Sequence, residues 1–115
     1  MKNLIIIGAG GCGREVLQWA KDINRHNPRW NIKGFLDDNK EALNNKKCDI
    51  EVISSVEEYI VQQDDVFVCA IGNSQVRKKV MEKMSCKGAV FVNLIHPTAI
   101  ITDSCTLGNG VIIYP

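Results

Sequence analysis

The sequence predicts an α/β fold: a parallel sheet with helices on both faces, followed by the onset of a parallel β-helix. Three observations carry this reading. Short β-branched runs alternate with helical-period segments over residues 1–94, the pattern of strands crossing over through helices. A glycine cluster separates the first run from the first helical segment, and after residue 94 aliphatics recur every six residues. The chain therefore divides into a sheet domain, 1–94, and the incomplete start of a second unit, 95–115.

Lys2 to Ile7 is continuous and apolar, as expected of a strand buried on both faces. After the glycines, Val16, Trp19, Ala20 and Ile23 fall on one helical face, with Asn24 as the expected stop. Asn27 to Trp30 reads as loop, Ile32 to Leu36 as a second strand ended by Asp37, Asp38 and Asn39, and the polar stretch through Lys47 as loop or short helix. Val52 and Ile53 suggest a brief strand, and Ser55 with Glu58 forms a capping-box pattern opening a helix through Tyr59 and Val61. Asp64 and Asp65 interrupt, Val66 to Ile71 is another buried strand, and Gly72-Asn73-Ser74 turns into a helix. The apolar face of that helix is expected to carry Val76, Val80, Met81 and Met84, Gly88 to end it, and Ala89 to Leu94 to form a further strand.

Beyond this point Ile95, Ile101, Leu107 and Ile113 are spaced by six, with Ala99, Cys105 and Val111 each four positions after one of the first three. This is a hexapeptide register, in which each face of a β-helical coil contributes one inward aliphatic. Three such repeats make one turn, and a lone coil cannot bury its own apolar face. The expectation is that the 115 residues are a truncated piece of a longer protein.

Composition narrows the partners. Fourteen basic and 13 acidic residues give a net charge of +1 with no basic stripe, which argues against nucleic acid or anionic membrane. The longest apolar run, Val66 to Ile71, is far too short for a membrane span, and the N-terminus lacks the core of a signal peptide. The five cysteines, at 12, 48, 69, 86 and 105, form no C-x-x-C pair. They suit reduced thiols in the cytoplasm better than a disulfide framework or a metal site.

Gly8-Ala9-Gly10-Gly11-Cys12-Gly13 fits G-x-G-x-x-G, and it follows a strand and opens a helix, the context that gives the motif meaning. Glycines let the backbone approach a phosphate, and the free N–H groups of the helix N-terminus receive its charge. Asp37 and Asp38 lie 24 and 25 residues beyond Gly13, where an acid can accept hydrogen bonds from a ribose or a base. Gly72 and Asn73 end the central strand, so all three junctions should meet at the carboxyl edge of one Rossmann-like sheet. The candidate binding residues are Gly10, Gly11, Cys12, Asp37, Asp38 and Gly72. Arg14 and Arg77 begin helices near this edge, within reach of a phosphate, although each reads first as a solvated surface charge.

With these motifs in this order, and with Asn93-Leu94-Ile95-His96-Pro97-Thr98-Ala99 at the junction, the whole chain resembles the sialic-acid and bacillosamine-type sugar acetyltransferases of bacterial surface-glycan pathways. Those enzymes join an N-terminal Rossmann-like domain to a C-terminal left-handed β-helix. The resemblance implies a nucleotide-linked amino sugar, commonly a UDP-sugar, contacted by the loop amides of Gly10, Gly11 and Cys12, with Asp37, Asp38 and Gly72 around the nucleotide. It implies acetyl-CoA as co-substrate, a β-helix histidine as general base, and active sites between subunits of a homotrimer. Many relatives carry His where this chain has Cys12, so no side-chain contact is carried over to that position. His96 stands at the first rung before a proline and reads as a structural junction residue, His26 has no evident partner, and no catalytic residue is assigned.

Two other readings stay open on sequence alone. G-x-G-x-x-G with a downstream acid equally suits an NAD(P)-binding oxidoreductase or redox sensor, although such a domain has no use for the six-residue register. A non-catalytic nucleotide-sugar sensor, complete at 115 residues, fits as well.

Overall fold

The computed structural model describes residues 1–99 and 110–113. Four parallel strands form one sheet in the order β3-β2-β1-β4: β1 is Lys2–Ile7, β2 Trp30–Leu36, β3 Val52–Ser54 and β4 Asp65–Cys69. The order reverses between β1 and β4, which makes their carboxyl ends the switch point where open α/β sheets bind ligands.

Helix α1, Gly11–His26, covers one face and α2, Ser74–Cys86, the other. The alternation of side chains along β1 explains the two cores. Leu4 and Ile6 pack with Val16, Leu17, Ala20 and Ile23 of α1, whereas Ile5 and Ile7 pack with Met84 of α2. Leu4, Ile5 and Ile6 are fully buried, which accounts for the unbroken apolar run. Burying each such side chain contributes about 1.5–3 kcal/mol.

Several local expectations are corrected. Helix α1 does not stop at Asn24 but continues to His26, and β2 begins two residues earlier than expected, at Trp30. One residue causes both differences. Asn24 Nδ2 donates to the Trp30 carbonyl (2.9 Å), and its Oδ1 accepts from the amides of Arg29 (3.0 Å) and Trp30 (3.2 Å), seating Trp30 against the α1 core. Half of the capping box forms: Ser55 Oγ accepts from the Glu58 amide at 3.2 Å, while the Glu58 carboxylate takes the Ser55 hydroxyl, at 3.1 Å, in place of the Ser55 backbone amide. It nucleates only a single turn, not a helix to Val61. The chain is drawn off by Asp65, whose carboxylate accepts from the Tyr59 hydroxyl at 2.5 Å and the Gln62 amide at 2.9 Å.

Asp65 is thus no breaker: it opens β4, is 3% exposed, and pairs with Lys33 Nζ at 3.0 Å. On α2 the apolar face is narrower than expected, because Val76 is 46% exposed and burial begins with Val80 and Met81. Asn73 caps this helix by accepting from the Gln75 and Val76 amides. Gly88 follows the helix at φ +91°, as the stop signal required. Ala89 to Leu94 is not a regular strand. It touches the sheet through a parallel bridge of Phe91 to Phe67, and only Leu94–Ile95 is extended, as β5.

Strand β5 pairs in parallel with β6, Ile112–Ile113, matching Leu94 to Ile112 and Ile95 to Ile113, partners 18 residues apart. Leu94 is fully buried, and with Ile112 it joins the α1-side core. Ile101, Cys105, Leu107 and Gly108 of the six-residue series lie outside the described residues. Among the described residues no helix is long and apolar enough to cross a membrane.

Candidate functional site

The glycine loop leaves β1 at the switch point. Gly8 takes φ +99°, and an added Cβ would lie 3.2 Å from the carbonyl oxygen of Ala70, the residue just past neighbouring β4. Gly13 is more constrained still, since a Cβ there would fall 1.8 Å from the Gly8 carbonyl oxygen. These two glycines let α1 start directly on top of the strand. Gly10 and Gly72 differ: a Cβ on either would meet nothing within 4 Å. The space beside them is open, so their backbones can be approached from outside.

Gly10 is the N-cap of α1 and offers no side-chain acceptor, and the first turn holds no acid. The amides of Gly11, Cys12 and Gly13 have no acceptor outside the helix among the described residues. They are orphan donors of a helix N-terminus, carrying its partial positive charge toward the opening.

A cleft of about 290 Å³ opens at this point. Cys12 stands on the α1 side, Cys69 to Gly72 and Arg77 on the β4–α2 side, and Gly110 to Ile112 close it from the second sheet. Arg77 Nη1 donates to the Ile71 carbonyl at 3.2 Å. Burial pushes the Cys69 thiol above its ordinary pKa, and a hydrogen bond from the Ile71 backbone and the Arg77 charge only partly oppose this. Among the described residues no acid lines the cleft.

Of the residues singled out by sequence, Cys12 and Gly72 line the cleft, Gly10 and Gly11 precede Cys12 at the start of α1, and Asp37 and Asp38 follow the end of β2. Asp37 has a clear local task. Its Oδ2 accepts from the Ala9 amide at 2.8 Å and its Oδ1 from the Asn39 amide at 2.9 Å, tying the β2 end to the glycine loop. Asp38 is exposed beside it. Arg14 lies along the first turn of α1, with its Nε 3.5 Å from the Gly10 carbonyl.

Sequence reasoning missed the far wall of the cleft, and it read Arg77, placed near this edge within reach of a phosphate, first as a solvated surface charge. Nothing in the local pattern of Gly110 to Ile112 tells that it returns to β5 and walls the opening. Arg77 follows Asn73 by four residues, so the cap at the start of α2 fixes its place on the first turn. That spacing was the available signal.

His96 Nε2 is 2.9 Å from Asp22 Oδ2 on α1, and its Nδ1 accepts from the Thr98 amide at 3.2 Å. An accepting Nδ1 places the proton on Nε2, facing Asp22. The hydrogen bond to His96, with a second from Gln18, holds the Asp22 carboxyl below its ordinary pKa. His96 thus fastens the junction to α1, and His26 only caps α1 locally, its Nδ1 lying 3.3 Å from the Asp22 carbonyl.

Residues 3–84 match the PglD N-terminal domain. UDP-N-acetylbacillosamine N-acetyltransferase of Bacillus subtilis (strain 168) is 30% identical over 120 residues, spanning 98% of this chain and 51% of that protein. The acetyltransferase domain of PglB from Neisseria gonorrhoeae FA1090, in complex with acetyl coenzyme A, superposes with a TM-score of 0.80 at 26% identity, over 96% of this chain and 52% of that one. PerB from Caulobacter crescentus, in complex with CoA and GDP-perosamine, shares the fold with a TM-score of 0.76 at 24% identity, over 98% of this chain and 51% of that one. This chain spans about half the length of these relatives. With the family match covering most of its length and the switch-point glycine loop in place, the chain belongs to the PglD N-terminal domain family.

Proposed function

We propose that this chain is the nucleotide-sugar-binding part of a cytoplasmic, acetyl-CoA-dependent sugar acetyltransferase, with a UDP-amino sugar as the ligand. The observation that carries the reading is the cleft at the switch point, acid-free among the described residues, where Cys12 at the α1 N-terminus and the open Gly72 line the same space as Arg77. Such a site suits a diphosphate, because donors and partial positive charge converge where a polyanion can approach the backbone. Gly10, Gly11 and Cys12 would hold the phosphates through their amides. Asp38, exposed just past β2, is the acid available to the ribose or base, since Asp37 is engaged with the loop itself.

The sugar would then extend toward the wall formed by Gly110 to Ile112, so the cleft draws on both units. The 18-residue register of β5 with β6 supports the β-helix reading of this wall, because three six-residue strands make one turn and bring the first and fourth aliphatics, Ile95 and Ile113, into register. Acetyl-CoA, the general base and a trimer interface would belong to the further coils of the parent enzyme. The two histidines of this stretch are held in local or junction contacts, and no catalytic role is assigned to either.

Ligand-induced stabilisation tests the reading, since a ligand that binds only the folded state raises its melting temperature. UDP or a UDP-amino sugar should raise the melting temperature more than equimolar NAD. A larger shift with NAD would move the chain to the oxidoreductase class.

A further inference from the structure

We propose that Arg77 clamps the diphosphate of the ligand from the wall opposite the α1 N-terminus, which makes the site selective for nucleoside diphosphates over monophosphates. The assignment rests on the nucleotide-sugar reading of the cleft.

Three features of the residue carry it. Arg77 is half-buried on the first turn of α2 and lines the cleft together with Cys12 and Gly72. Its donation from Nη1 to the Ile71 carbonyl holds the guanidinium against the β4–α2 loop and is its only side-chain hydrogen bond among the described residues. No carboxylate pairs with it there, whereas Lys2, Lys21, Lys33, Lys83 and Arg25 each have an acidic partner. A guanidinium has five N–H donors, so four remain for a ligand. A cation held in a cleft without an acidic neighbour is poised for an external anion, and its planar fork matches two phosphate oxygens at once.

The α1 amides and Arg77 thus offer two separate sets of donors on facing walls. A monophosphate can satisfy one wall, whereas a diphosphate can engage both.

The test is calorimetric titration of the chain and its Arg77→Ala and Arg77→Lys variants with UDP and UMP, alongside their unliganded melting temperatures. Loss of charge-assisted hydrogen bonds to phosphate predicts an affinity for UDP about 10- to 100-fold weaker in Arg77→Ala. UMP affinity should change by less than about threefold, and Arg77→Lys should recover part of the UDP loss, because it keeps the charge but not the fork. The unliganded melting temperature should stay near that of the wild type. Equal UDP affinity in the wild type and Arg77→Ala would overturn the assignment. So would equal losses for UDP and UMP, or a fall in unliganded melting temperature that accounts for the loss, since either marks a structural prop for Ile71. A wild-type chain that binds neither nucleotide would instead remove the nucleotide-sugar reading beneath it.

Discussion

The two ends of the sheet treat polar groups in opposite ways. At the amino end, Asp65, Lys33, Tyr59 and Gln62 close on one another. Lys33 Nζ donates to Tyr59 Oη at 2.7 Å and to Asp65, and Tyr59 and the Gln62 amide complete the carboxylate's set of partners. At the carboxyl end, the first amides of α1, most of the Arg77 guanidinium and the open side of Gly10 are left without protein partners among the described residues. Burial without water demands pairing, so a complete network marks a structural joint. Donors left open beside accessible backbone mark a place kept for something else. The contrast predicts that damage at the amino end lowers stability and spares binding, and that damage at the open glycines does the reverse.

The glycine loop contains both kinds of position, and the largest expected effect comes from its closed member. Gly13→Ala places a Cβ against the Gly8 carbonyl oxygen, which is backbone and cannot swing aside. Denaturant unfolding should show a loss of at least about 3 kcal/mol. A chain of wild-type stability would mean that α1 can lift off β1 at no cost.

Next comes Asp65→Ala, which strands the Tyr59 hydroxyl, the Gln62 amide and Lys33 together. A loss of about 2–4 kcal/mol is expected, reduced because Lys33 keeps access to water. UDP affinity should not change. The same network gives a pH signature. Burial alone would raise the Asp65 pKa, but hydrogen bonds from Tyr59 and Gln62 and the charge of Lys33 hold it below the ordinary value. A carboxyl depressed in the folded state stabilises fully above its unfolded pKa, near 4, and the gain is lost as pH falls through the folded value. Asp65→Ala should therefore lie closest to the wild type in strongly acidic solution. A gap that widened on acidification would contradict the assignment.

At the open position, Gly10→Val should fold with a change below about 1 kcal/mol, because its φ is negative and nothing lies near the new side chain. UDP binding should weaken at least about tenfold as the side chain fills the approach to the amides. Unaltered affinity would move the phosphate away from the loop. The smallest effect is that of His96→Ala, which removes one hydrogen bond to a part-exposed Asp22 and should cost about 0.5–1.5 kcal/mol without changing UDP affinity.

This contrast also explains which features could be read from sequence. The strands β1, β2 and β4, the glycine loop and α1 were legible because local pattern and tertiary role agree there. Continuous apolar runs are strands buried on two faces, and the glycines stand where backbone meets backbone. The Ser55 turn reads as a helix start because the Ser55 cap on the Glu58 amide is real, but Asp65, seven residues beyond Glu58, recruits Tyr59 and Gln62 before a second turn forms. Asp65 itself looked like a breaker because the residue that neutralises it, Lys33, lies 32 positions earlier. The candidate site was legible in its amides, which belong to a motif. Its far wall, Gly110 to Ile112, was not, because that segment reaches the cleft only through the pairing of β6 with β5. Asp37 stood out as an acid of the right spacing, yet its bond to the Ala9 amide depends on how the β1 and β2 ends come together.

The central claim is that the carboxyl edge is the ligand end of the sheet, and amide chemical-shift mapping during a UDP titration tests it most directly. The account predicts saturable shifts at Gly10 to Gly13, Gly72 to Ser74 and Gly110 to Ile112, with Lys33, Tyr59, Gln62 and Asp65 unmoved. Shifts centred on the Lys33–Tyr59–Asp65 network, or spread without saturation over the whole surface, would contradict it.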